Sequence, residues 1–504
     1  MKNFRIKTFW LLLVLIVGFH VKAQHQAFDE YVAKAVKDYD LPGLTISIAG
    51  KDSVWFQKAY GYANAEKQTK ATTESVFAIA SISKAFTATC IGLLVDDGKL
   101  NWSDRVQTHL PYFRLSDEYI ASQMTIEDLL CHRSGFKTFD GDLLWYMTDY
   151  EPKEIVERFE NYKLSYDHRT IYGYQNIMFI AAGLVVEEVS GQSLGDFMKE
   201  RIFEPLQMNS TYTSIDDYTK ETQIAYPHVN GKLDAIRNYD NSAGAALISS
   251  NVVDMSKWIQ FWLNEGIVGK DTLLSKHTYK NLLEMHTPIP TGGFDRMTGV
   301  EFKGYALGWF LMDYQNHKVA HHGGGLPGYI SKIFLVPAEN YGGIILTNGE
   351  TSLPTALMLN SIDEFENKTD KPDWAGTILK FSKAADQRKE KAKVERYAKR
   401  NEKLKSNVAT DKLIGVYEDM VYGEAKVEEI KGNLSLTLVP SKKYFTSEMV
   451  HWQQNTYKVK FKDEFLPEGF VTFHLNANGE VEGFKIDLPN PDFHFHNLDF
   501  KKLN

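Results

Sequence analysis

The sequence predicts an α+β protein: an antiparallel sheet with flanking helices and a helical insertion, followed by a small all-β barrel domain. Three observations predict it. Strand-like segments lie near residue 50 and again beyond residue 300, a mainly helical stretch from Ser81 to Gly266 separates them, and strand alternation returns after a highly charged run. Strands at both ends with helices between imply one sheet built from distant halves of the chain. At 504 residues two domains are expected, and 43% hydrophobic content supports a substantial core. The net charge of −8 gives no basic footprint, so no nucleic-acid partner is expected.

Along the chain, Lys2, Arg5 and Lys7 precede an apolar run over residues 9–17, and Val21-Lys22-Ala23 offers a cleavage site before Gln24. Residues 1–23 therefore read as a Sec-type bacterial signal peptide, and the mature chain as periplasmic or secreted, with no stable membrane span once the signal is removed. The run is too short for a comfortable span; an uncleaved anchor is the alternative. Residues 44–48 and 53–56 flank Gly50-Lys51-Asp52 as a hairpin. Helices are expected over 126–131, over 177–189 closed by Gly191, and over 252–264 closed by Gly266. Strands follow at 306–311, 332–336 and 343–347. Cys90 and Cys131 read as small core residues, a disulfide between them staying open, and two cysteines offer no thiolate metal site.

The expected organisation is a first domain over 24–375, a charged linker over 376–410 and a β domain over 411–504. The basic-rich run at 383–405 reads as a solvated linker helix, contact with an anionic membrane surface or cell-wall polymer being the alternative. Segments 434–438, 456–461, 470–475 and 481–486 alternate as strands, with Asn478-Gly479 as a tight hairpin between the last two. Trp452, Tyr457, Phe461 and Phe473 read as barrel core, with a lined ligand cavity as the alternative. His494-Phe495-His496 places two imidazoles on alternating strand positions, an incomplete ligand set that reads as structural, so no metal is expected.

The chemistry begins at Ser81-Ile82-Ser83-Lys84. Residues three apart share a helix face, so the pattern sets a hydroxyl one turn from an amine at the start of an apolar helix. The unpaired N–H groups of a first turn suit an anion forming there, and burial lowers an amine's pKa until it accepts a proton. Ser134-Gly135-Phe136-Lys137 repeats the spacing, but with glycine inside and no apolar helix behind it reads as a turn. Tyr174-Gln175-Asn176 lies just before a helix; a phenol near an ammonium ionises more easily and relays protons, and an amide binds a carbonyl. In His321-His322-Gly323-Gly324-Gly325 the glycines let a backbone approach a ligand closely.

The order of these three elements resembles that of the class C β-lactamases and related DD-peptidase-type serine hydrolases, over about residues 27–365. Leu41-Pro42-Gly43, residues 129–135, Tyr305-Ala306-Leu307-Gly308-Trp309 and Leu346-Thr347-Asn348 also look like that family. The resemblance implies Ser81 as the acylated nucleophile, Lys84 as its proton partner, Tyr174 assisting and Asn176 positioning the substrate. It aligns the third motif with His322-Gly323-Gly324, or one residue earlier, and makes the N–H groups of Ser81 and Gly325 the oxyanion donors. Histidine in place of the lysine of typical β-lactamases weakens the hold on a substrate carboxylate. Residues 413–417 and 421–423 resemble a lipocalin-like barrel appended to some relatives. The expectation is a cofactor-independent exported hydrolase of small-molecule or peptide esters or amides, D-amino-acid peptides among them. A β-lactamase and a binding or sensor protein with little turnover are the alternatives, and a homo-oligomer stays open.

Overall fold

The computed structural model describes residues 25–366, 368 and 370–503; the expected signal peptide lies outside them. Strands β1 (Gly43–Gly50), β2 (Val54–Asn64) and β3 (Thr69–Lys70) come early in the chain. Far down it follow β4 (Thr287–Ile289), β5 (Lys303–Tyr305), β6 (Phe310–Tyr314), β7 (His317–Leu326), β8 (Tyr329–Val336) and β9 (Tyr341–Thr347). Among the described residues they form one sheet in the order β4-β5-β6-β7-β8-β9-β1-β2-β3. The two halves join antiparallel at β1 and β9, with Ile46 opposite Ile345 and Leu44 opposite Thr347.

β1 is buried along its whole length because helices cover both faces of the sheet. On one face, α1 (residues 25–38), α5 (Leu353–Phe365) and the start of α6 (Trp374–Ala398) pack Phe28, Val32, Leu357, Ile362 and Trp374 against Ile46, Ile48 and Ile345. On the other, α4 (Val252–Leu263) and the helical insertion supply Ile259, Trp258 and their neighbours against Ile333 and Ile344. Each such aliphatic side chain contributes about 1.5–3 kcal/mol by leaving water. Within the insertion, α2 (Ser83–Asp96) is buried from Ser83 to Leu94, a helix enclosed on all sides. It packs against α3 (Asn176–Ser190), which Gly191 ends in the left-handed region. Cys90 and Cys131 are both buried, and both thiols are free.

One predicted strand is corrected. The apolar run 306–311 straddles the turn between β5 and β6, where the Ala306 N–H donates to the Trp309 carbonyl. It is apolar because the turn is buried: Gly308, at φ +81, sits where a Cβ would come within 2.8 Å of the Lys84 carbonyl oxygen.

The C-terminal strands are β10 (Gly415–Asp419), β11 (Gly423–Ile430), β12 (Asn433–Leu438), β13 (Thr446–Glu448), β14 (Val450–Gln453), β15 (Thr456–Val459), β16 (Gly469–Leu475), β17 (Val481–Asp487) and β18 (Phe500–Lys502). Their order is β13-β12-β11-β10-β18-β17-β16-β15-β14, and only Met449 separates the two end strands, so the sheet curls into a nearly closed barrel. Tyr457, Phe461 and Phe473 are buried in it; Trp452 is buried too, with Arg400 of the segment after α6 lying 4.6 Å over its ring. The loop between β16 and β17 is longer than a two-residue hairpin, closed by the Asn476 N–H to the Glu480 carbonyl. His494 and His496 lie in a loop and short 3-10 turn rather than a strand, and His494 Nδ1 stands 3.3 Å from Asp140. Beyond Ile378, α6 is mostly exposed, but its end meets the barrel, with Tyr397 against the Trp452 ring at 4.8 Å and Arg396 4.8 Å over Phe470. Among the described residues no single helix is long and apolar enough to cross a membrane.

Candidate active site

Ser81 lies in the 3-10 turn Ala80–Ile82 that leads straight into α2, so its position is set by the most deeply buried helix of the insertion. Lys84, in the first turn of α2, is fully buried, with Nζ 3.1 Å from Ser81 Oγ. It also donates to Asn176 Oδ1 at 2.6 Å and to the Ala245 carbonyl at 2.9 Å. Burial pushes its pKa down to about 7, against the pull of the Asp142 charge. The last two partners are pure acceptors, so a neutral Lys84 amine spends both N–H groups on them and turns its lone pair to the Ser81 hydroxyl.

Asn176 begins α3 and extends the chain of hydrogen bonds, its Nδ2 donating to Asp142 Oδ2 at 2.6 Å. Both ends of its amide are thus engaged, and it orients Lys84. Burial raises the Asp142 carboxyl to about 7, against the opposing pull of the neighbouring Trp145 indole N–H, the Asn176 amide and the Lys84 charge.

Lys84 Nζ lies 4.9 Å over the Tyr174 ring, and the Ser81 hydroxyl is the polar group that most favours ionisation of this phenol. Burial nevertheless pushes it well above the ordinary tyrosine value, the reverse of the easier ionisation read from the sequence. At neutral pH Tyr174 is a proton donor. Its ring is held by His132 at 4.1 Å, an imidazole kept neutral by burial, whose Nδ1 accepts the Gln175 N–H.

The glycine-rich segment is the end of β7, docked against the turn Ala80–Ile82 that carries Ser81. Gly324 makes that contact feasible: a Cβ there would lie 2.1 Å from the Ile79 carbonyl oxygen. Ser331 on β8 pins the same carbonyl at 2.8 Å. His322, 6.1 Å from the Tyr174 ring, faces the Lys84 side, whereas His321 stacks on Phe310. The alignment on His322 is therefore the one the geometry favours. His322 Nδ1 lies 2.6 Å from the Gly323 carbonyl and must carry the proton, so Nε2 accepts from the Tyr305 hydroxyl at 2.9 Å. Burial holds its pKa down to about 3, so it adds no positive charge.

Ser81, Tyr174, Asn176, His322, Gly323 and Gly325 line one cavity of about 490 Å³. Of the predicted site residues, Ser81, Lys84, Tyr174, Asn176 and His322 converge here. Gly325 opens on the cavity, and Gly324 supports it from the opposite face. Ser134 is buried in a bend. The sequence assigned no role to Asp142, His132, Tyr305 or Phe310. His132 sits in the stretch 129–135 already noted, a usable signal, but nothing marks Asp142.

The barrel completes the cavity: Phe465, Asp492 and Phe493 line it beside Trp145. Phe493 stacks on Tyr146 at 3.8 Å, and Tyr146 and Arg237 both bind the buried Asp463, Arg237 with both arms at 2.9 and 3.0 Å. The loop carrying Asp142 is thereby clamped between the two sheets.

A serine turn feeding a buried helix, with a lysine amine on the hydroxyl and an antiparallel sheet alongside, defines a β-lactamase-fold serine hydrolase class. The family model described as Beta-lactamase matches residues 28–363, and the chain belongs to that family. A second model, Domain of unknown function (DUF3471), matches residues 399–502. The unguisins hydrolase ungD' of Aspergillus campestris is 31% identical over 359 residues, 67% of this chain and 65% of that protein. Protein flp of Staphylococcus aureus (strain MW2) is 27% identical over 339 residues, 64% of this chain and 63% of its own length. The chain thus spans just under two thirds of these curated relatives. The octameric penicillin-binding protein homologue from Pyrococcus abyssi shares the fold at a TM-score of 0.60 and 19% identity, over 95% of this chain and 99% of that one.

Proposed function

We propose that this chain is an exported serine hydrolase, periplasmic or secreted, that cleaves ester or amide bonds of small molecules or peptides through an acyl-enzyme on Ser81. The observation that carries the reading is the buried Lys84 amine 3.1 Å from Ser81 Oγ, with a pKa near 7. The amine takes the hydroxyl proton as Oγ bonds to the substrate carbonyl carbon. The oxyanion is held by the N–H groups of Ser81 and Gly325. Collapse expels the leaving group, which Tyr174 protonates while regaining a proton from the Lys84 ammonium. Water then attacks the ester and gives its proton to the amine; as the carbon–Oγ bond breaks the ammonium returns that proton to Ser81 Oγ and the acid is released. The name of the fungal relative, a hydrolase of unguisins, supports hydrolysis as the reaction type. The basic and apolar N-terminal residues support export.

Fluorophosphonate labelling tests the assignment. Ser81→Ala should abolish it, and Ser134→Ala should leave it intact; the reverse result overturns the reading. Stoichiometric labelling by an activated ester without turnover would instead favour a binding protein.

A further inference from the structure

The third motif supplies no cation, since His322 is neutral and Gly323 has no side chain. The charge is present on the next strand. In the β7–β8 register Gly323 lies opposite Lys332 and Gly325 opposite Ile330. Residues directly opposite share a sheet face, so Lys332 projects on the face of Gly323 and Gly325. All of them line the cavity that holds Ser81. A Cβ on Gly323 would stand 3.9 Å from Lys332 Cδ, so the bare glycine leaves open the space beside the lysine chain.

Lys332 Nζ lies 3.1 Å from His321 Nδ1, which accepts from the ammonium. Among the described residues no carboxylate pairs with it, and burial alone lowers its pKa, to about 8, so it stays charged at neutral pH. The His321 and His322 imidazoles, which feel its charge, are both held neutral by burial. The half-buried ammonium uses one of its three donors on the protein, which leaves the others to a ligand in the cavity.

We propose that Lys332 is the anion-binding residue of this cavity, so that preferred substrates carry a carboxylate beside the bond that Ser81 attacks. The proposal rests on the reading of Ser81 as nucleophile. It revises the expectation that a histidine in the third motif weakens carboxylate binding: the cation has moved to the adjacent strand.

The test compares matched esters on the full chain. Mono-4-nitrophenyl glutarate against 4-nitrophenyl valerate places the charge on the acyl side, and 3-acetoxybenzoate against phenyl acetate places it on the leaving group. Wild type should favour the charged member of at least one pair in kcat/KM. Lys332→Met should cut that ratio roughly ten- to hundredfold, the range of a charge-assisted hydrogen bond, and Lys332→Arg should restore most of it. No preference in wild type, or an equal change on both members in Lys332→Met, overturns the proposal. Fluorophosphonate labelling of Ser81 is run alongside. If it fails in wild type the nucleophile reading falls by itself, and calorimetric binding of benzoate to wild type against Lys332→Met then decides the anion site. Equal affinities would end it.

Discussion

Lys84 and Asp142 are joined through one amide and titrate in the same range, near pH 7, because burial lowers the amine and raises the acid. In the proposed mechanism Lys84 must be neutral to act, so kcat/KM should climb with pH along an acid limb centred near 7. The Asp142 charge favours the ammonium and raises the Lys84 pKa. Asp142→Asn should therefore move that limb to lower pH, while lowering kcat through the loosened Asn176. A limb that stays in place in the pH profile would separate Asp142 from the base. At this scale the sequence marked Ser81, Lys84, Tyr174, Asn176 and His322, since motif spacing is local. It could not mark Asp142, which reaches the amine only through folded loops, nor foresee that burial would keep the Tyr174 phenol protonated.

Elements were legible where their periodicity was long and their ends capped. The helix ending at Gly191 and the strands around Ile46 and Ile345 fall where the pattern put them. The misreading lies where burial mimics pattern: the turn at Gly308 is apolar like a strand. The contact between β7 and the turn that carries Ser81 is tight enough to test. Gly324→Ala forces a Cβ onto the Ile79 carbonyl and should cost roughly 1–3 kcal/mol, seen as a lower Tm, with slower labelling of Ser81. Gly293→Ala, where a Cβ meets nothing within 4 Å, should leave both measurements nearly unchanged.

Across the whole molecule, the barrel acts through Asp463, whose carboxylate is enclosed and held by Arg237 and Tyr146. Arg237→Met leaves that charge buried without its cation and should cost about 3–5 kcal/mol in denaturant unfolding. Arg237→Met combined with Asp463→Leu should recover most of the loss, as replacing a whole buried pair by apolar groups often does. Equal losses in single and double variants would mean the pair does not tie the barrel down. By itself the sequence determined the α+β class, the sheet built from distant halves, the terminal barrel and the motif residues, because hydrophobic period and short spacings are written along the chain. Only the tertiary structure decided what shares the cavity with Ser81: Asp142, Lys332 on a neighbouring strand, and Phe493 from the barrel. Those meetings depend on strand register and on packing between remote segments, which no local pattern encodes.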